Sequence, residues 1–328
     1  MEKAFEIAAG ALEATRGTAV TPPTHVFPFN VTLAPQEEEY IPDESRGTLH
    51  EEYRGAVTKY WTEWDGEGGA DAKIAPFLFA MWAKHVASPS TPVGATAARL
   101  WEYIDLGTAD NLKTATMYWK DPTDGKMFQA PYSFIDELSI EADSTGKDGV
   151  TWKASGQAQK LQLVTVPTLP AQLIGSLLLP MKKKVWLDLQ SGTIGTTQLS
   201  EVAKTSHVMK NNIVPKFFDN ANLTYTRLGR KKRKLVTTFT MEYDETIYDY
   251  TQATNPTLVG LRVRYEGDQI EANFNEYIEI DTYGRLKFEG WEDIFDANRG
   301  MKLSVTSRVN PTLGSGWRLA AQNNRTTI

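Results

Sequence analysis

Leu235-Val236-Thr237-Thr238-Phe239-Thr240-Met241-Glu242-Tyr243 puts Leu235, Thr237, Phe239, Met241 and Tyr243 on one face and Val236, Thr238, Thr240 and Glu242 on the other. That period of two is the mark of a half-buried β-strand. The same pattern, rich in Val, Ile, Thr and aromatic residues, recurs in Val57–Trp64, Thr114–Trp119, Ser133–Ala142, Val150–Ser155, Val185–Leu189, Ala221–Thr226, Leu258–Tyr265, Tyr277–Asp281, Leu286–Trp291 and Met301–Ser307. Gly, Asp, Asn and Pro punctuate these runs, as in Asp121-Pro122-Thr123-Asp124-Gly125. The fold class is therefore mainly β. Ala72–His85, where Ile74, Phe77, Leu78, Met81, Trp82 and His85 recur at helical spacing behind Asp71, predicts one flanking helix. Ala171–Leu179, between Pro170 and Pro180, reads as a short helix or a covered linker.

At 328 residues the chain has room for about two domains, and it contains no cysteine. Disulfides, thiolate metal sites and cysteine nucleophiles are excluded. Its most apolar stretches, Ile74–Val86 and Leu169–Pro180, are shorter than the ~20 residues that span a bilayer, so no membrane span is expected. Met1–Gly10, with Glu2 and Glu6, does not read as a signal peptide. Net charge is −6 but unevenly placed: residues 1–170 hold 14 Lys+Arg and 24 Asp+Glu (14 − 24 = −10), residues 171–328 hold 21 and 17 (21 − 17 = +4). Opposite halves of this kind can steer association between subunits.

Val57–Asp65 lies without gaps on Val236–Asp244 at an offset of 236 − 57 = 179, and Phe134–Ser155 resembles Tyr277–Ser307 at an offset of 300 − 149 = 151. These matches predict two copies of one β domain, residues 1–170 and 171–328, able to take two equivalent places in a ring. The second copy shows no evident counterpart of the helix, because Tyr250–Leu258 is short and contains Asn255-Pro256.

No chemistry stands out. His25, His50, His85 and His207 are scattered, and the turns at Gly192–Gly195 and Gly314–Gly316 continue into no phosphate-binding fingerprint. No catalytic residue, metal or cofactor is expected. Charge offers more. Glu37-Glu38-Glu39, Asp43, Glu44, Arg46 and Glu51-Glu52 lie in a long acidic segment, Pro35–Gly55, without clear strand period, and Arg230-Lys231-Lys232-Arg233-Lys234 is a basic run just before the strand at Leu235. Three readings of the run stay open: a solvated turn, a phosphate contact, or a basic loop facing its acidic counterpart between subunits, since the gapless match sets Glu51–Arg54 against Arg230–Arg233. All these residues are candidates for contacts between subunits or rings.

Glu13-Ala14-Thr15-Arg16-Gly17-Thr18-Ala19-Val20-Thr21-Pro22, then His25–Pro28, then Glu39-Tyr40-Ile41-Pro42-Asp43-Glu44-Ser45-Arg46-Gly47 resembles the opening of major tail tube proteins of long, flexible-tailed bacteriophages. The order strand (Val57–Trp64), Gly-rich turn (Gly66–Gly69), helix (Ala72–His85) and the closing patterns Tyr277–Asp281, Asp296–Gly300 and Val305–Pro311 resemble the same family. The resemblance implies two tandem tail-tube-type β-sandwich domains whose strands join between subunits into a ring-shaped barrel. It also implies trimeric, pseudo-hexameric rings stacked into a hollow tube in the virion tail. The implied partners are further copies of the chain, a tape measure protein inside the lumen, tail completion and tip proteins at the ends, and double-stranded DNA in transit along a lumen expected to be neutral or acidic. Two rivals remain: another tail component on the same fold, and a carbohydrate-binding β-sandwich using Trp61, Trp64, Trp82, Trp101 and Trp119.

Overall fold

Leu235, Thr237, Phe239 and Met241 are all buried, on one side of a strand that runs from Lys234 to Glu242. The computed structural model describes residues 7–28, 30–41, 55–83, 88–104, 112–121, 125–190, 192–252, 258–294, 298–310 and 314–328. In chain order its strands are β1 (Ile7–Leu12), β2 (His25–Phe27), β3 (Asn30–Tyr40), β4 (Ala56–Gly69), β5 (Arg99–Ile104), β6 (Ala115–Lys120), β7 (Met127–Asp143), β8 (Thr151–Ala158), β9 (Gln162–Val164), β10 (Lys183–Leu189), β11 (Gln198–Leu199), β12 (Val202–Lys210), β13 (Ile213–Lys216), β14 (Arg227–Arg230), β15 (Lys234–Glu242), β16 (Leu258–Glu271), β17 (Phe274–Ile294), β18 (Asn298–Ser307) and β19 (Trp317–Asn323). Helix α1 (Ala75–Trp82) follows β4, and helix α2 (Glu245–Gln252) follows β15.

Eight strands form one antiparallel arc in the order β3-β4-β8-β7-β12-β15-β18-β17. Behind it lie two further sheets, β2-β1-β6-β7-β9 and β11-β10-β16-β17-β19-β5. The long strands β7 and β17 belong to the arc by one end and to a rear sheet by the other. Gly284 allows the crossing in β17, because a Cβ there would stand 2.0 Å from the Thr306 carbonyl oxygen. In β7 the change of partner falls at Tyr132, which holds a φ of 56° and donates its N–H to buried Glu13 at 2.7 Å.

The pairing order is the same in both halves: β3-β4-β8-β7 answers β12-β15-β18-β17, and each set has its helix after the second strand in sequence. The gapless matches are nonetheless out of step. Thr151 faces Gly69, while Lys302, its counterpart at offset 151, faces Thr240, whose counterpart at offset 179 is Trp61; the matches disagree by 69 − 61 = 8 residues. An even slip leaves every side chain on its own face, so alternation alone does not detect it. The pairing of Glu51–Arg54 with Arg230–Arg233 rested on that offset and loses its basis.

Four other expectations need correction. Residues 221–226 form turns, not a strand. Tyr277–Asp281 and Leu286–Trp291 are parts of one 21-residue strand. Residues 171–179 form no helix but a linker held by Asp71, which accepts from the Gly175 N–H (2.6 Å), and by Glu276, which accepts from the Ser176 N–H (2.9 Å); it is not covered, since Ile174 and Leu177 stand 68% and 63% exposed. The second half does carry a helix, α2, which starts earlier than Asn255-Pro256 and is capped by Asp244 Oδ1 on the Ile247 N–H at 3.0 Å.

The core fills the space between the arc and the rear sheets. All eight residues of α1 are buried, which makes it a central helix and not an amphipathic flank. Phe77 packs on Phe27 (4.9 Å between ring centroids), Phe79 on Tyr103 (5.7 Å) and Trp82 on Trp317 (4.9 Å). One polar network sits in this core: His207 bonds Thr237 Oγ1 and Tyr265 Oη, each at 2.9 Å, while Thr205 bonds the same Tyr265 hydroxyl at 2.8 Å. Burial lowers the His207 pKa to about 3, so the imidazole stays neutral in the fold. The unfolded chain binds that proton near the ordinary value of about 6.5, so stability is full above pH 6.5 and falls as pH drops toward 3. Between pH 7 and 5 the loss from this residue is about 2 kcal/mol. Urea midpoints at the two pH values will show it, and His207→Gln will flatten the pH slope.

Candidate functional site: an uncovered polar sheet face

Along each strand of the arc, alternate residues point away from the core. On β3 and β4 this face carries Thr32, Gln36, Glu38 and Lys59, Glu63, Asp65, Glu67; β8 and β7 add Lys153, Ser155 and Glu137, Ser139, Glu141, Asp143. On β12, β15, β18 and β17 it carries Lys204, Ser206, Lys210, then Lys234, Thr238, Thr240, Glu242, then Lys302, Ser304, and finally Arg285, Lys287, Glu292. At its β4–β7 end Trp61 and Phe134 cluster with Ile213 and Leu228 of the two-stranded β13–β14 sheet and with Phe217 and Tyr225; over the strips listed here the face is wet, the usual state of one side of an antiparallel sheet.

The charge asymmetry of the whole chain is concentrated on this surface. Its first half is acidic, with only Lys59 and Lys153 as cations; its second half is basic, with Glu242, Glu289 and Glu292 as the counter-charges. The two meet at the β7–β12 seam, where Lys210 pairs with Glu137 (2.9 Å), Lys204 approaches Asp143 (3.8 Å) and Ser206 donates to Glu141 (3.3 Å). Glu292 gathers Lys204 (3.1 Å), Lys302 (3.5 Å) and Thr240 (3.0 Å). Such exposed pairs contribute roughly 0–1 kcal/mol each and set register and surface potential more than stability.

A second ionic cluster lies on the outward face of the rear sheet. Arg262 grips Asp281 with two bonds of 2.8 Å, Arg264 reaches Glu279 at 2.6 Å, and Arg318 holds Glu102 (2.9 and 2.6 Å), Asp281 (3.2 Å) and Glu279. Burial works to raise the Glu279 pKa, but Arg264, Arg262 and Arg318 outweigh it and hold the carboxyl below its ordinary value. With Lys184 on Glu266 (2.8 Å), four cations answer four carboxylates. The alternation Arg262-x-Arg264-x-Glu266 beside Glu279-x-Asp281 was visible in the sequence as charges at strand spacing. Removing Arg318 leaves the buried carboxylates Glu279 and Asp281 held by Arg262 and Arg264 alone, with one cation too few, so Arg318→Ala is expected to cost about 3 kcal/mol, read as a drop in unfolding midpoint.

The candidate contact residues fall in several places. Glu37, Glu38 and Glu39 are on β3, a strand whose register shifts between Glu38 and Glu39, although the sequence showed no clear strand period there; all three are exposed, and Glu38 pairs with Lys59 at 2.7 Å. Asp43, Glu44, Arg46, Glu51 and Glu52 lie outside the described residues. Arg230 ends β14, Lys231 and Lys232 are exposed on the connection to β15, and Lys234 begins β15. Because β14 pairs with β13 and β15 with β12 and β18, the run joins two sheets and is not the tip of a hairpin. Arg233 does not belong with its neighbours. It turns inward, donates to Asn211 Oδ1 (3.0 Å) and to the Ala83 carbonyl (3.1 Å) at the C-terminus of α1, and lies 5.7 Å from the Trp82 ring. Arg233→Ala should therefore cost about 1–3 kcal/mol, whereas Lys232→Ala should stay within about 0.5 kcal/mol of the parent, both measured by chemical denaturation.

Trp64, Trp82 and Trp101 are at most 2% exposed and supply no platform for a sugar. Among the described residues no group of three or more His, Asp and Glu is placed to hold a metal ion, and no helix is long and apolar enough to cross a membrane. Compared with protein-family models and with curated proteins, the chain matches none.

Proposed function

We propose that this chain is a structural virion protein, the major tail tube subunit of a long-tailed bacteriophage. The observation that carries the reading is the seam between β7 and β12, seven residue pairs from Lys204–Asp143 to Lys210–Glu137, which joins the two halves edge to edge in one sheet. The arc ends on β3 at one side and on the 286–294 portion of β17 at the other, and among the described residues neither outer edge has a strand partner. These edges correspond to the two sides of the internal seam: β3 stands to β4 as β12 stands to β15, and β17 to β18 as β7 to β8. A copy of the chain placed by repeating the seam would bring β3 beside β17 of its neighbour. Three arcs closed in this way form a barrel, which removes every exposed edge, and such heterologous contacts close when their rotation divides the circle.

In this reading the polar face lines the lumen. A wet surface of mixed charge offers DNA no continuous row of cations, so passing phosphates meet acidic strips between basic ones and are not held. A tape measure protein would fill the lumen before ejection, and completion and tip proteins would cap the ends. The chain acts by assembling, without a catalytic step.

Electron microscopy of the purified protein over a range of concentrations, with mass from light scattering, tests this. Hollow tubes or rings with the mass of three chains are expected. A closed ring that never stacks would move the assignment to a tail-completion component, and a monomer at every concentration, with or without tail initiator complexes, would overturn it.

A further inference from the structure

Beside the open edge of β17 the second half exposes a cluster of aromatic rings. Trp291 lies 5.9 Å from Tyr243 and 5.3 Å from Phe288, and Tyr248 lies 5.5 Å from Phe288. Trp291 is 49% exposed and Tyr243 53%. The corresponding place in the first half, between β7 and α1, is closed: Leu138, Ile140 and Trp82 are at most 3% exposed. The difference is β12. It sets Met209 opposite Leu138, and Asn211 just beyond it donates its amide to the Trp82 and Ile135 carbonyls, both at 2.9 Å.

The bulges mark the same correspondence. In β7 the register shifts at Asp136, whose carbonyl accepts the Asn211 N–H and whose carboxylate accepts the Ile213 N–H, each at 2.7 Å. In β17 it shifts at Glu289, whose carboxylate takes the Ser304 hydroxyl of its own sheet. The strand equivalent to β12 is β3, and its core-side residues along the free edge include Leu33 and Pro35, with Tyr40, 61% exposed, at its end.

We propose that the Tyr243/Tyr248/Phe288/Trp291 flank is the seat of β3 from a second copy of this chain, which covers it with Leu33, Pro35 and Tyr40 as β12 covers the first half's flank. The proposal rests on the tube-subunit reading and adds to it the apolar anchor of ring closure. Aromatic side chains sealed at the centre of a contact dominate its energetics, so the flank, and not the surrounding ion pairs, holds neighbours together.

The absence of cysteine makes the test clean. Trp291→Cys and Asp293→Cys place a thiol on the flank with and without loss of the indole, and each is labelled with a maleimide before and after assembly. Loss of labelling on assembly is expected, together with intermolecular disulfides when either is combined with Pro35→Cys or Glu37→Cys. Trp291→Glu is expected to leave a monomer with unchanged circular dichroism that forms no rings. Tubes in which the introduced thiols of both variants label as fast as in the monomer would overturn the anchor while leaving the tube reading intact. A protein that never assembles would overturn both.

Discussion

Everything in this fold depends on where the backbone of β7 and β12 finds its hydrogen bonds. An edge strand presents unpaired N–H and C=O groups that are costly to bury and hazardous to expose, and the chain resolves this for two of its four arc edges by pairing one half with the other. With that seam made, the core of each half is roofed by the same continuous sheet, and α1 is enclosed completely. Without it, Leu138 and Ile140 would lie open, as the aromatic flank of the second half does.

Long strands that serve two sheets make this possible. β7 and β17 carry 17 and 21 residues, and each contributes to the arc by one end and to a rear sheet by the other. A strand can do so only where it bends, and here the bends coincide with local irregularities: the register shifts at Asp136 and Glu289, the positive φ of Tyr132 and the close backbone approach at Gly284. These positions aim the acidic and basic strips along one surface while keeping hydrophobic residues on the other.

The period-two segments, and with them the mainly β class, were legible because alternation is a local property. Which strands pair is not local, and there the sequence was silent: nothing in residues 137–143 indicates that 204–210 is their neighbour. The internal repeat was visible in outline, yet its register slipped by eight, since an even slip preserves both faces. Glu37–Glu39 hid a strand because a charged, proline-containing edge strand lacks the apolar alternation that identifies a buried one. The five basic residues read as one patch because composition does not show direction, and only the fold separates Arg233, turned onto the end of α1, from Lys231 and Lys232. Helix α2 was hidden by the break at Asn255-Pro256, although Asp244 already marked its start.

The last strand has a consequence for the order in which the chain is made. β19 pairs with β17 on one side and with β5 on the other, matching Arg318 with Ile104 and Asn323 with Arg99 across more than two hundred residues, and Arg325 then reaches His25 and the Lys73 carbonyl. During synthesis the first half leaves the ribosome well before the strand that completes its neighbourhood, so its edge at β5 stays unpaired until residues 317–323 emerge. Contacts of such long sequence separation form late. The finished surface therefore exists only once β19 has been made, and a product truncated before it lacks a strand that joins the first half to the second.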